Sequence, residues 1–281
     1  MDKKVAVAYL VWVPFGIELY KQFLHSYLTK KAGANHTLLL LFNGVKNKNE
    51  VDEFISLTKN NHLEFDYLIR DSGQDMEVYY WACGKVNYDI ILFLNSYSTF
   101  NTDNWLKIYL DHFTEDVGMI GASASNQSIY SSVFYQNKIS WNFDKSFKQN
   151  FGKYKLLIKT FLVWRWWFKP FPCKHLRATA YMLRRKDYLE IKSKFPLLKK
   201  LDAYKIECGF DSMTNQILRK GLKVGVVNTD GIYFDLNDAY QSNTFRVNNQ
   251  EKLLINDKQT DWYKNANEAE KKEFTYLAWG K

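Results

Sequence analysis

The sequence predicts an α/β protein built on a mostly parallel sheet with helices on both faces. Three observations predict it. Strand-like and helix-like patterns alternate through the first half of the chain, and repeated βα units pack as parallel sheets. Residues 89–98, Asp-Ile-Ile-Leu-Phe-Leu-Asn-Ser-Tyr-Ser, form a bulky apolar run that stops abruptly on small polar groups, as a strand buried on both faces does. The chain has 281 residues, 46% of them hydrophobic and 25% charged, which suffices for one large α/β domain with an ordinary core.

The elements follow in order. Residues 5–13 are apolar and β-branched. The run is too short to cross a bilayer, which takes about 20 residues. It has no small-residue cleavage site and leads into an amphipathic pattern with Glu18 and Lys21, so it is expected to be the first buried strand and not a leader. Helical spacing predicts a helix over 17–31. A second strand is expected at 37–42, a helix at 50–59, a third strand at 63–69 and a helix at 76–86. The apolar run 89–94 is the fourth strand, and its polar end falls where open α/β sheets bind ligands. A helix over 104–113, capped by Thr102 or Asp103, precedes a fifth strand at 117–122. The second half is less regular. Residues 127–172 are aromatic and mixed. A strand is expected at 176–183, a helix at 185–194, a helix at 209–220 ended by Gly221, and a last strand at 223–227. The tail from 236 is polar and carries a final helix near 266–277, yet it holds Tyr240, Phe245, Leu253, Leu254, Ile255, Trp262, Tyr263 and Trp279. That is too apolar for a solvated arm, so the tail is expected to pack on the core.

Charge and cysteine usage narrow the function. The formal charge of +9 suits anionic partners: nucleotides, nucleic acid or the cytoplasmic face of a membrane. The lysines are scattered and no nucleic-acid-binding motif is present, which argues against a nucleic-acid partner. Cys83, Cys173 and Cys208 are odd in number and far apart, which fits a reducing cytoplasm better than a disulfide scaffold. His25, His36, His62, His112 and His175 show no ligand spacing. Residues 156–177 interleave Phe161, Trp164, Trp166, Trp167, Phe168 and Phe171 with Lys159, Arg165, Lys169, Lys174 and Arg177. Tryptophan among basic residues suits a membrane interface, so peripheral contact with the inner face of a membrane is expected beside the plainer reading, an aromatic core helix.

Three segments carry a family resemblance. One is the opening βαβ series leading to Leu94-Asn95-Ser96-Tyr97. Another is Arg177-Ala178-Thr179-Ala180-Tyr181-Met182-Leu183. The last is Glu207-Cys208-Gly209-Phe210-Asp211, about one helix ahead of Gly221-Leu222-Lys223-Val224. Together they resemble the GT-A glycosyltransferases of the large family-2 type over residues 1–235. The resemblance implies a nucleotide-sugar-binding half over 1–126, an acceptor half over 127–235 and an added extension over 236–281. It implies transfer of a sugar, with inversion, from a nucleoside-diphosphate donor to a hydroxyl of a growing bacterial surface glycan, an acceptor carried on a lipid.

The same resemblance implies roles for particular residues. An acid in the third segment serves the family as catalytic base, and here Asp211 is the first choice with Glu207 beside it. Asn43 and Asp71, at the ends of the second and third strands, would read the nucleotide. Asn95, Ser96 and Tyr97 stand where the family has Asp-x-Asp, whose carboxylates hold a metal on the diphosphate. Hard cations prefer carboxylate oxygen, so no firmly bound cofactor is expected and only a weak Mg²⁺ or Mn²⁺ is left room for. Arg246 is expected to take over the phosphate. His175, Arg177 and Thr179 would face the acceptor. Two rivals remain: a nucleotidyltransferase, whose Gly-rich signature is missing after the first strand, and a non-catalytic member of the same fold.

Overall fold

The structure is a computed structural model that describes residues 3–139, 147–192 and 199–281. From the amino end, β1 (Val5–Trp12), α1 (Glu18–Thr29), β2 (Thr37–Asn43), α2 (Asp52–Asn60), β3 (Phe65–Arg70), α3 (Asp75–Cys83) and β4 (Ile90–Leu94) alternate as the sequence predicts. The short β5 (Thr99–Phe100), α4 (Trp105–His112), β6 (Val117–Gly121) and β7 (Ala124–Ser125) follow. The second half holds α5 (Ile129–Ile139), α6 (Phe147–Leu162), β8 (His175–Leu176), β9 (Ala180–Arg184), α7 (Arg185–Glu190), α8 (Lys200–Cys208), α9 (Met213–Arg219), β10 (Lys223–Val227) and β11 (Tyr233–Asp235). The tail adds β12 (Ile255–Asn256), α10 (Lys258–Asn265) and α11 (Glu268–Trp279).

Eight strands form one Rossmann-like sheet in the order β11-β10-β6-β9-β4-β1-β2-β3. Strands β1 to β4 run parallel. Strand β9 lies antiparallel between β4 and β6, so β6 runs with β4, and β10 is parallel to β6. The edge strand β11 is antiparallel. Six carboxyl ends therefore open along one edge of the sheet, where such folds hold ligands. The side-chain period of two sends Ala6, Ala8 and Leu10 into one core layer and Val7, Tyr9 and Val11 into the other. Helices cover both layers, which is why β4 is buried along its whole length.

Several expectations need correction. The predicted helix over 209–220 is shorter: α9 begins only at Met213, and a turn over 209–212 separates it from α8, a helix that the sequence pattern did not announce. Glycine is required at the break, because a Cβ on Gly209 would lie 2.4 Å from the Lys205 carbonyl oxygen and 2.9 Å from that of Trp167. Asp211 is not a cap: Ser212 caps α9 by accepting from Asn215 N. The predicted strand over 176–183 is split into β8 and β9, because Arg177 leaves the ladder to bond Ser123 and Asp257. Neither Thr102 nor Asp103 caps α4. The Asp103 carboxylate instead accepts Lys31 N at 2.8 Å, and Asn104 takes the cap position at φ 58°. The predicted helix over 185–194 ends at Glu190, and residues 193–194 lie outside the described residues.

The tail wraps the carboxyl edge. Strand β12 pairs with β5, Asn126 N donates to Ala278 O at 2.9 Å, and the Trp279 indole donates to Phe245 O at 2.7 Å. The strongest tie is ionic. Arg177 meets both oxygens of Asp257, at 2.6 and 3.1 Å, and both side chains are buried. Asp257 also caps α10 by accepting Gln259 N and Thr260 N. Phe245 lies under the Arg177 guanidinium at 4.0 Å.

Burial pushes the Asp257 carboxyl up, but Arg177 and the two backbone N–H groups outweigh it and hold it below its usual range. A depressed folded pKa contributes stability that is present above the unfolded value of about 3.9. That contribution is lost as the pH falls through the lower folded value. Asp257→Asn leaves Arg177 buried without a counter-charge. We expect it to lower unfolding stability by about 3–5 kcal/mol, read as a shifted urea midpoint at neutral pH. An unshifted midpoint would contradict a structural role for the pair.

Candidate active site

The three segments of the sequence resemblance meet at the carboxyl edge of the sheet. Asn95 N donates to Thr179 O at 3.1 Å, joining the loop after β4 to the loop before β9. One residue back, Ala178 N donates to a Glu207 carboxylate oxygen at 2.9 Å. The last turn of α8 points Glu207 this way because its neighbours Ile206 and Cys208 are buried in the core. The following loop is fixed by Phe210 N donating to Trp167 O at 2.9 Å.

A cleft of about 340 Å³ opens there, lined among others by Gln127, Trp164, His175, Arg177, Glu207, Phe245 and Gln259. Two of these groups can take a proton. Glu207 is one. His175 is the other: its Nδ1 lies 2.7 Å from the Cys173 carbonyl oxygen, which only accepts, so Nδ1 carries the proton and Nε2 keeps its lone pair. Burial lowers the His175 pKa against the opposing pull of Glu207, so the ring is neutral at neutral pH.

Arg246 lies behind the wall of this cleft, against Gln127 and Gln259, with an unusual set of neighbours. It is buried, and its backbone sits at φ 52°. Its guanidinium reaches the amide oxygens of Gln127 and Gln259 at 3.3 and 3.4 Å and lies over the rings of Phe245 and Phe274. Its Nε has no partner, and among the described residues it makes no ion pair. Burial, with Arg177 close by, brings its pKa down to about 10, so it remains charged at neutral pH. A buried cation with only long, neutral contacts is costly unless an anion completes it.

The Asp-x-Asp positions do different work. The Asn95 side-chain oxygen accepts from Tyr97 N at 3.0 Å and from the Ser98 hydroxyl at 3.1 Å, which fills both of its lone pairs. Ser96 is buried; its hydroxyl donates to Leu10 O at 2.8 Å and accepts Trp12 N at 3.3 Å. Both residues thus staple β4 to its turn and to β1. Tyr97 faces a mixed group, with Phe15 at 5.6 Å between ring centroids and the Lys258 ammonium 5.2 Å from its ring. These residues do not fit a hard divalent cation, which needs free oxygen ligands. Among the described residues no group of three His, Cys, Asp or Glu is placed to hold a metal.

The remaining predicted residues separate into two groups. Asn43 ends β2 next to Trp12 and Arg70. It is buried, donates to Gly73 O at 2.9 Å and keeps its own side-chain oxygen buried without a partner. Asp71 is exposed beside it. Asp211 forms an ion pair with Arg219 on the outer side of α9. Arg177 lines the cleft and is held there by its bidentate bond to Asp257. Thr179 takes part through its backbone carbonyl.

Sequence reasoning missed Gln127, Gln259 and Asp75. Asp75 opens α3 and touches solvent, yet surrounding protein, with Glu207 adding a smaller push, raises its carboxyl pKa. An acid in the first turn of a helix is commonplace, so nothing in the sequence marked it. Amides carry no motif, and only the nearness of Gln127 and Gln259 to Arg246 reveals them.

Comparison with known proteins gives likeness of fold. No protein-family model matches the sequence, and no curated protein matches it. Among solved structures, the chain is similar to a mannosyltransferase from Pyrobaculum calidifontis in complex with GDP-Man and Mn²⁺. That match has TM-score 0.43 and 8% identity and covers 73% of this chain and 52% of the other. It is similar to S. aureus TarS in complex with UDP-GlcNAc, at TM-score 0.32 and 15% identity over 42% of this chain and 33% of that one. It is also similar to the bifunctional glycosyltransferase WbbM, at TM-score 0.47 and 12% identity over 99% of this chain and 44% of that one. The chain thus spans about half or less of the length of these proteins.

The saturated Asn95 and Ser96 generate a prediction about metals. Calorimetric titration with UDP and GDP should give affinities that differ by less than about tenfold between Mn²⁺ and EDTA. Binding that disappears in EDTA would contradict this reading of the turn.

Proposed function

We propose that the chain is a GT-A glycosyltransferase of the family-2 type. It moves a sugar from a nucleoside-diphosphate donor to a hydroxyl of a growing bacterial surface glycan, with inversion. The observation that supports this best is Glu207 on the wall of a cleft with Arg246 directly behind Gln127 and Gln259 of the same wall. The first offers a base and the second a cation that lacks its anion. An inverting transfer needs both.

In this reading Glu207 takes the proton of the acceptor hydroxyl. The acceptor oxygen then forms its bond to the anomeric carbon from the face opposite the diphosphate. The bond from that carbon to the diphosphate oxygen breaks, and its electron pair leaves with the phosphate. Arg246 gives up its long amide contacts and meets the growing negative charge with charge-assisted hydrogen bonds, which are shorter and stronger. Lys258 and the amino end of α10 lie beside Tyr97 and add positive potential. Trp12, Phe15 and Tyr97 offer ring faces at the ends of β1 and β4 for the nucleobase. The unpartnered Asn43 oxygen suits a base N–H. His175, neutral and beside Glu207, is placed to orient the acceptor. Glu207 is preferred to Asp211 because it lines the cleft and Asp211 pairs with Arg219. The acceptor glycan is proposed to ride on a lipid at a membrane face.

A second reading, a binding subunit without turnover, is favoured by one observation: Asn95 and Ser96 are spent on the fold. Kinetics separates the two. Glu207→Gln should bind UDP or GDP nearly as the unaltered protein does and lose turnover by about 10²–10⁴-fold. Asp211→Asn loses the ion pair with Arg219 and should keep turnover. Normal turnover in Glu207→Gln would remove it as the base. Arg246→Ala should leave the unfolding midpoint in place and weaken nucleoside-diphosphate binding by about 10- to 100-fold, the scale of a lost charged hydrogen bond. Unchanged affinity would confine Arg246 to packing.

A further inference from the structure

Helix α6 and the turn after it expose apolar side chains that the fold leaves uncovered. Ile158, Phe161 and Leu162 recur at helical spacing on one side of α6 and are 57%, 51% and 54% exposed. Trp166, in the short 3₁₀ turn Trp164–Trp166, is 69% exposed. The opposite side of the helix holds Thr160, which is fully buried. Cations border the stripe. Lys155, Lys159 and Arg165 are exposed, and the Arg165 guanidinium lies over Phe161 at 5.2 Å and over Trp166 at 5.0 Å.

We infer that this face docks on an anionic lipid surface, with α6 lying in the plane of the interface. An amphipathic helix with aromatic and aliphatic groups on one face and basic groups at its border binds the headgroup region in that manner. Each nearby lysine or arginine adds attraction to anionic headgroups. The formal charge of +9 acts in the same direction. The core of a protein–protein interface is depleted in lysine, so the basic border argues for lipid over a second copy of the chain. Among the described residues no helix is long and apolar enough to cross a membrane, so the contact lies on the surface of the bilayer.

The face adjoins the cleft. Trp164 begins the turn that ends in Trp166, lines the cleft with Glu207, and keeps its indole N–H buried without a partner. Docking through α6 therefore sets the mouth of the cleft at headgroup level. That position suits an acceptor whose anchor stays in the bilayer, a part of the inference that rests on the catalytic reading above.

The test is co-sedimentation of the full chain with vesicles of about three parts neutral to one part anionic lipid, against neutral vesicles alone. The unaltered protein should partition onto the anionic vesicles, and added salt should weaken it. The double variant Phe161→Ser with Trp166→Ser should lose about tenfold or more of that partition. Both groups are exposed, so its unfolding midpoint should not move. Its affinity for UDP or GDP should also be unchanged, which separates the two readings: vesicle binding without any nucleoside-diphosphate binding sinks the catalytic proposal and leaves the docking face standing. An unaltered protein that stays in the supernatant overturns the inference, as does a double variant that partitions equally well. A dimer that the double variant dissociates, with no lipid uptake, overturns it too and gives the face to a second copy.

Discussion

The buried ion pair between Arg177 and Asp257 is the interaction on which the site depends. Arg177 lies in the loop that enters β9, and Asp257 caps α10 in the tail. The two are 80 residues apart in sequence. Closing that distance carries an entropic cost, which the tail's own burial offsets: Phe245, Leu253, Leu254, Ile255 and Trp279 are all removed from water. The pair contributes direction as much as energy. It sets the amino end of α10 beside Tyr97 and puts Gln259 and Phe245 on the cleft wall. It also holds Arg246 in a left-handed backbone conformation that only a well-packed surrounding sustains.

The two arginines show how burial separates structure from function. Arg177 and Arg246 are equally hidden and share Phe245 as a ring neighbour. Arg177 has a bidentate carboxylate and needs nothing more. Arg246 has two distant amides and an Nε with no partner. A protein tolerates such a group when a ligand completes it, because desolvating an unpaired charge is costly. The same contrast holds for the acceptor atoms at the strand ends: Asn95 has its oxygen filled by its own turn, while Asn43 has its oxygen buried and empty.

Much of the fold was legible because a parallel sheet with helices on both faces makes strong local signals. Strands buried on both sides appear as unbroken apolar runs, and the first six main elements fall within a few residues of expectation. The second half was harder for physical reasons. The helical pattern from Gly209 to Lys220 is continuous in sequence, yet the helix starts only at Met213, because Ser212 takes the cap and Gly209 is spent on a turn packed against the backbone oxygens of Lys205 and Trp167. Helix α8, rich in lysine, gave no apolar stripe to read. In the candidate site, Glu207 and Arg246 were legible as candidates by residue type and position, and His175 only by its nearness to Arg177. The bond that commits Arg177 to Asp257 had no local signature, and neither did the two glutamines about Arg246. Asp211 looked like the better acid because it sits nearer a helix start, whereas its partner Arg219, two turns on, draws it to the surface.

The central claim is that Arg246 waits for the diphosphate of a nucleotide donor in the cleft that Glu207 lines. A crystal structure of the chain with UDP or GDP tests it most directly. The account predicts phosphate oxygens about 2.7–2.9 Å from the Arg246 guanidinium, with the glutamine contacts released and the base near Asn43. A nucleotide bound with its phosphates elsewhere, and Arg246 still facing only Gln127 and Gln259, would contradict it.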